Sequence, residues 1–169
     1  MADGPRIRNA VRVLLLDEDD RLLLLRLDQA EAGRSFWHTP GGGVEAGEDG
    51  HAAAAREVLE ETGLRELQLG AEVWYRRHRF TYRHVDYDQR ERWFLARVAH
   101  FQPVPTGLTE EEQADLTDWR WWTLEAMQDT EEELVPRDLP VRLRELLRDG
   151  PRGDPIDISA HDERDPSAR

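Results

Sequence analysis

Three glutamates, Glu57, Glu60 and Glu61, have the spacing to bring their carboxylates together on one side of a helix. Residues 50–62 contain a run of alanines and no proline, and Gly63 suits a left-handed cap, so the sequence predicts a helix that ends there. The opposite, core-facing side is predicted to consist of Ala55, Val58, Leu59 and Thr62.

Such a cluster of acids near a helix C-terminus costs some tenths of a kcal/mol for each like-charge pair and for each unfavourable dipole contact. A helix shaped by stability alone would avoid it. Convergent carboxylates are explained if they hold a hard divalent cation such as Mg²⁺, which prefers oxygen ligands and bridges carboxylates to phosphates. The alternative is a solvated acidic helix surface.

The glutamates belong to a longer pattern in residues 42–64. Its fixed positions are Gly42, Glu48, Arg56, Glu57, Glu60, Glu61 and Gly63. This pattern matches the Nudix box, and the chain resembles a Nudix hydrolase. The resemblance implies the α/β class, as an α/β/α sandwich with a mixed β-sheet between helices. It also implies a pyrophosphohydrolase that cleaves a nucleoside triphosphate, a dinucleoside polyphosphate or a nucleotide sugar.

The resemblance further implies roles for individual residues. Glu57, Glu60 and Glu61 would be the ligands of Mg²⁺, with Mn²⁺ able to substitute, and the carbonyls of the turn at Gly42 are within reach of a metal. Arg56 would orient Glu57. Glu48 would pair with a basic group or lie at the edge of the metal site. The general base is either Glu57 or an acid of a later loop, for which the candidates are Glu110, Glu111 and Glu112, with Glu112 preferred.

Residues 76–92 form the one basic region of an acidic chain. Because guanidinium groups match phosphate oxygens, the predicted substrate contacts are Arg76, Arg77, Arg79 and Arg83. The alternative is a hairpin with arginines directed outward for solubility or toward another subunit. Among Nudix enzymes, a proline sixteen residues past the box marks ADP-ribose hydrolases, and this chain has Phe80 there. A tyrosine eighteen residues past the box marks diadenosine polyphosphate hydrolases, and Tyr82 occupies that position.

The composition excludes several classes of function. The formal net charge is -13, which disfavours binding to nucleic acids or anionic membranes. The chain has no cysteine and no lysine, which excludes disulfides, thiolate nucleophiles, P-loops and Schiff bases. We therefore expect a cytoplasmic protein with a small phosphorylated substrate, and a homodimer is an assembly common in the family. A second hypothesis is a catalytically silent Nudix module that binds a nucleotide as a sensor.

The elements that must position these groups are predicted from periodicity. Residues 11–16 and 22–27 form a hairpin of buried strands, and residues 72–82, 87–98 and 119–122 form further strands. Thr123 begins one helix, and residues 141–147 form an amphipathic helix that packs on the sheet. We expect a single domain over residues 1–149 and a disordered tail over residues 150–169.

Overall fold

Eight strands and four α-helices form within residues 4–159, the part of the chain that the computed structural model describes. The strands are β1 Arg6–Leu16, β2 Leu22–Gln29, β3 Arg34–His38, β4 Gly41–Gly43, β5 Glu72–Tyr82, β6 Val85–Arg97, β7 Leu116–Trp122 and β8 Ile156–Asp157. The helices are α1 Gly50–Thr62, α2 Glu110–Asp115, α3 Leu124–Asp129 and α4 Leu139–Asp149.

The centre of the sheet is a parallel pair, β1 and β6, which is aligned along all of β1. Strand β5 pairs antiparallel with β6, and β8 pairs parallel with β5. Strand β2 meets β1 in the predicted antiparallel hairpin and then lies between β3 and β7. The short strand β4 adds to β1. The sheet is therefore mixed.

Helices cover both faces of this sheet because the side chains of β1 alternate between two cores. Val11, Val13 and Leu15 pack with the buried side of α1. Leu14 and Leu16 pack on the other face with residues of α3 and α4. This arrangement confirms the predicted α/β/α sandwich. It also confirms that the leucine-rich strands are buried on both faces.

Helix α1 begins and ends where its sequence predicts. The Asp49 side chain accepts a hydrogen bond from the Ala52 N–H (2.8 Å), and Gly63 adopts the left-handed conformation with φ 76°. The buried side differs from the prediction, since Ala53 and Ala54 are buried whereas Ala55 is exposed. The helix is rotated so that Glu57 also lies in the buried part of its surface.

The C-terminal segment contains a helix longer than predicted. Residues 141–147 lie within α4, and Leu143 and Leu146 are buried. Residues 156–158 then return to the domain, where β8 pairs with β5 and Ile158 is buried, donating its N–H to the Tyr75 carbonyl (2.8 Å). The predicted disordered tail thus packs against the sheet in this part, and residues 160–169 lie outside the described residues. Within residues 4–159 no helix is long and apolar enough to span a membrane.

Candidate active site

A pocket of about 620 Å³ lies between α1, α2, the central strands and the β5–β6 hairpin. Its wall has three chemical parts. The acidic part, on the side of α1 and α2, consists of Glu57, Glu61, Glu111, Glu112 and Asp115. The basic part consists of Arg8, Arg12, Arg34 and Arg76. The apolar part consists of Leu27, Phe36, Phe80, Leu116 and Val135. Apolar surface with a few convergent charged groups is typical of a site for a small ligand.

The glycine turn before α1 supports two of the predicted metal-binding carboxylates. The Gly41 N–H donates to Oε2 of Glu61 (2.9 Å). A Cβ atom at Gly42 would lie 2.5 Å from the Glu57 carboxylate, so only glycine allows this close approach. Gly41 has φ 147°, and a Cβ there would lie 2.1 Å from the Val11 carbonyl oxygen. The turn therefore brings Glu57 and Glu61 together.

Arg56 connects the loop before α1 to the carboxylates of α1. Its Nε and Nη2 donate to the two oxygens of Glu48 (2.9 and 3.1 Å), and its Nη1 donates to Glu57 (2.8 Å) and Glu60 (3.3 Å). Its Nη2 also donates to the Gly43 carbonyl (2.8 Å). The hydrogen bond with Glu48, followed by the one with Glu57, raises the pKa of Arg56, so its charge is permanent. This geometry fits the role expected of Arg56, which is to orient Glu57. It also makes Arg56 the basic partner of Glu48.

Glu57 and Glu61 lie in an environment that opposes their ionisation. Burial raises the pKa of Glu57 despite the hydrogen bond from Arg56. Burial, and after it the neighbouring Glu57, raises the pKa of Glu61 to about 8. Two adjacent carboxylates with raised pKa values would be stabilised by a cation between them.

The donors present fit a divalent cation as a partial ligand set. Glu57 and Glu61 line the pocket, whereas Glu60 is not part of its wall and accepts a hydrogen bond from Arg56. Within residues 4–159 no three acidic or imidazole side chains form a complete set of metal ligands. A bound cation would therefore complete its shell with backbone carbonyls, water or substrate oxygens, as Mg²⁺ commonly does.

Glu112, the preferred loop acid, lines the pocket from α2. Its carboxylate accepts the Thr109 N–H (2.8 Å), and the Thr109 hydroxyl accepts the Glu112 N–H (3.2 Å), which together form a capping box. Tyr82 lines the same side of the pocket, and its hydroxyl hydrogen bonds to Oδ2 of Asp115 (3.2 Å). The structure thus places Glu112 and Tyr82 in the pocket wall.

Three of the four predicted substrate-binding arginines lie on β5, and the fourth, Arg83, lies in the turn after it. Arg76 is buried and lines the pocket. Arg77 and Arg79 lie on the opposite face, where Arg77 forms a two-bond contact with Asp88 (2.8 and 2.5 Å). Arg83 is at the hairpin end and pairs with Glu111 (2.9 Å). Alternation along a strand causes this separation, since successive side chains point to opposite faces.

Three pocket arginines, Arg34 on β3 and Arg8 and Arg12 on β1, were not predicted from the sequence. Arg8 and Arg12 are in register with residues of β6 and flank Ala10 on one face of β1. Arg8 donates to the neutral Gln89 amide oxygen (2.9 Å), and among residues 4–159 no carboxylate lies within ion-pair distance of it. Their i, i+4 spacing in a strand was the available signal, because it places both on one face.

A buried carboxylate, Glu91, holds the basic wall together. It accepts hydrogen bonds from Arg12, Arg76, Gln89 and Trp93. Burial, the largest single influence, acts to raise the pKa of Glu91, but the charges of Arg12, Arg76 and His78 and the hydrogen bond from Gln89 together outweigh it and hold the pKa well below its usual range. His38, beside Arg12, stays neutral because burial and the Arg12 charge lower its pKa to about 3.

Comparisons with known proteins agree with the box pattern. The family model described as NUDIX domain matches residues 6–144. An RNA pyrophosphohydrolase of Afipia carboxidovorans is 33% identical over 118 residues, which cover 62% of this chain and 67% of that protein. The RNA pyrophosphohydrolase of Caulobacter vibrioides is 31% identical over 153 residues, covering 79% and 80%.

Solved structures share the fold. A MutT protein from Methanosarcina mazei matches with a TM-score of 0.65 at 21% identity, over 87% of this chain and 99% of that one. An Ap4A hydrolase from C. elegans matches with a TM-score of 0.58 at 19% identity, over 83% and 98%. At these low sequence identities, the structural matches show only that the fold is shared.

Proposed function

Because this chain belongs to the NUDIX domain family and is a hydrolase of pyrophosphate bonds, we propose that it cleaves a small nucleotide polyphosphate in a Mg²⁺-dependent reaction. The observation that carries this proposal is the juxtaposition, in one pocket, of the Glu57 and Glu61 carboxylates with a basic wall and an apolar wall. The three parts correspond to a metal, a phosphate chain and a nucleoside.

The residues of α1 and α2 have distinct roles in this proposal. Glu57 and Glu61 hold the cation, and Arg56 keeps the Glu57 carboxylate directed toward it. Glu60, also contacted by Arg56, adds negative charge at the edge of the site. When bound, Mg²⁺ neutralises phosphate charge and polarises a phosphoryl oxygen. Either Glu57 or Glu112 accepts the proton of the attacking water, since both carboxylates lie in the pocket wall.

The basic and apolar walls receive the rest of the substrate. Arg8 has a guanidinium group directed at the pocket without a carboxylate partner among residues 4–159, which suits it to a phosphate. Phe36 and Phe80 offer apolar surface for a base. Arg77 and Arg79 have no part in this scheme, because they lie on the other face of β5.

The 5′ end of an RNA is a second candidate substrate, since several relatives carry the name RNA pyrophosphohydrolase. The electrostatics of this chain favour a small molecule instead. Its net charge is -13, and Glu111, Glu112 and Asp115 line the α2 side of the pocket. A long phosphate backbone leaving the pocket on that side would meet repulsion.

A substrate panel tests the proposal. Purified protein is incubated with Mg²⁺ and a nucleoside triphosphate, a dinucleoside tetraphosphate, a nucleotide sugar or a 5′-triphosphorylated RNA, and the products are separated by chromatography. We expect turnover of a small nucleotide, loss of turnover in Glu57→Gln, and normal turnover in the exposed control Glu66→Gln. Tight nucleotide binding without product in every Mg²⁺ and Mn²⁺ reaction would support the silent module instead.

A further inference from the structure

Arg12 joins the glycine turn to the interior of the sheet. Its Nη1 lies 3.4 Å from the Thr39 carbonyl oxygen, 3.3 Å from the Gly41 carbonyl oxygen and 3.0 Å from Nδ1 of His38. Its Nε donates to Oε1 of Glu91 on β6 (3.1 Å). One guanidinium group therefore contacts both the turn and the neighbouring strand.

The turn that Arg12 contacts also sets the positions of the α1 carboxylates. The Gly41 peptide is held at both ends, because its N–H donates to Glu61 while its carbonyl accepts from Arg12. The next residue, Gly42, lies directly against the Glu57 carboxylate. Any shift of the turn would consequently move the contacts of both carboxylates.

Arg12 is itself held rigidly, since Glu91 is 1% exposed and has a full set of donors. Gln89 donates to the same oxygen as Arg12 (2.7 Å), and Trp93 donates to the other oxygen (3.0 Å), which Arg76 also contacts (3.4 Å). A saturated buried carboxylate of this kind fixes the direction of the guanidinium plane.

From these contacts we propose that Arg12, anchored by Glu91, is a positioning residue for the reaction: it holds the glycine turn so that Glu57 and Glu61 face a divalent cation. This inference rests on the proposed function. It adds a residue outside the box motif, 29 positions before Gly41, whose effect passes through the turn. Partners that orient metal ligands typically change metal affinity or activity by about 10–100-fold when they are replaced.

Arg12→Lys tests the inference without changing charge. A lysine ammonium lacks the planar fork and cannot serve Glu91 and the turn carbonyls together. We expect Mn²⁺ affinity, measured by calorimetry, to fall about tenfold, and the Gly41 amide to exchange its hydrogen faster in NMR. The control Arg97→Lys alters a half-exposed β6 arginine paired with Asp20, and its Mn²⁺ affinity should equal that of wild type. Unchanged Mn²⁺ affinity and unchanged Gly41 exchange in Arg12→Lys would overturn the inference.

A double variant, Arg12→Gln with Glu91→Gln, is a second charge-neutral test and applies if Arg12→Lys does not fold. Both the anchor and the guanidinium are lost, so we expect the same weakening of Mn²⁺ binding and, on an active substrate, a lower kcat. Wild-type Mn²⁺ affinity in a folded double variant would contradict the inference. Failure of the proposed function is seen separately, as wild-type protein that binds Mn²⁺ and releases no product from any substrate of the panel.

Discussion

The pocket contains two carboxylate sites with opposite electrostatics, and Arg12 lies near both. At Glu91, two arginines and two neutral donors surround one buried carboxylate, and its pKa is lowered. At Glu57 and Glu61, two carboxylates lie together, and burial raises both pKa values. The negative charge of Glu91 is balanced by the donors around it, and we call this the compensated site. The charges of Glu57 and Glu61 are only partly balanced, and we call this pair the undercompensated site.

The difference shows how the structural and functional carboxylates of this fold can be separated. A buried charge that is paired and hydrogen-bonded serves the architecture, and breaking it is costly. Carboxylates whose burial is not offset by the cations of the protein are suited to a cation from solution. The comparison assigns Glu91 to the scaffold and Glu57 with Glu61 to the chemistry.

The largest effect expected is on catalysis at the undercompensated site. Glu57→Gln should lower kcat by about a thousandfold, a loss comparable with removal of a preorganised charged group from an active site. Its unfolding temperature without metal should equal or exceed that of wild type, because the charge removed there is opposed by burial. Steady-state kinetics with saturating Mg²⁺ and thermal unfolding measure the two quantities. A large loss of stability would show that Glu57 serves the scaffold as Glu91 does.

At the compensated site, the main effect is expected on stability. Glu91→Gln should lower the free energy of unfolding by about 3 kcal/mol, because it removes the counter-charge that Arg12 shares with the buried Arg76. Denaturant unfolding measures this change. Adding Arg12→Gln to the same chain should recover part of the loss, since one of the two arginines that share the Glu91 charge is then gone. A Glu91→Gln protein as stable as wild type would remove the distinction between the two sites.

Much of the undercompensated site was predictable because its parts are local in sequence. About two dozen residues contain all the parts that define the helix and its turn: Gly41 and Gly42, Glu57 and Glu61, and the cap at Gly63. The rotation of the helix was not predictable from periodicity. Glu57 lies in the buried part of α1 because Gly42 leaves room for its carboxylate.

The compensated site could not be predicted in the same way, because its contacts cross the sheet. Arg12 and Glu91 are 79 residues apart and meet through the parallel pairing of β1 and β6. The alternation of β5 separates Arg76 from Arg77, but it does not say which of them faces the pocket, since that depends on the strands and helices packed around it. Strand β8 was missed because it is only two residues long and because its support, the pairing with β5 and the packing on the core, comes from residues distant in the sequence.

An effect of intermediate size is expected on the pH dependence of stability, which tests the undercompensated site in the metal-free protein. The pKa of Glu61 is raised from 4.5 to about 8, so the folded protein retains a proton that the unfolded chain releases. Metal-free stability should therefore fall as pH rises from about 4.5 to 8. A fall of about 2 kcal/mol is expected, less than the full shift implies, because Glu61 is partly exposed to water.

Thermal unfolding in EDTA at several pH values measures this dependence. In Glu61→Gln the fall between pH 4.5 and 8 should be smaller than in wild type, and Mg²⁺ should raise the wild-type unfolding temperature most at the alkaline end. An equally steep fall in Glu61→Gln would place the titrating group elsewhere.

The smallest effect is expected on the outer face of β5. Arg77 is 47% exposed at its side chain and pairs with Asp88 away from the pocket, so Arg77→Gln should cost about 0.5 kcal/mol of stability and leave KM unchanged. Arg8→Gln is its counterpart on the pocket wall and should raise KM about tenfold through the loss of one charge-assisted hydrogen bond. Steady-state kinetics of both variants on one substrate show whether the substrate phosphate is bound at the pocket wall or on the outer face of β5. An equal rise of KM in Arg77→Gln would mean that phosphate is bound across the hairpin, and that the cations facing Glu57 and Glu61 have no special part in binding.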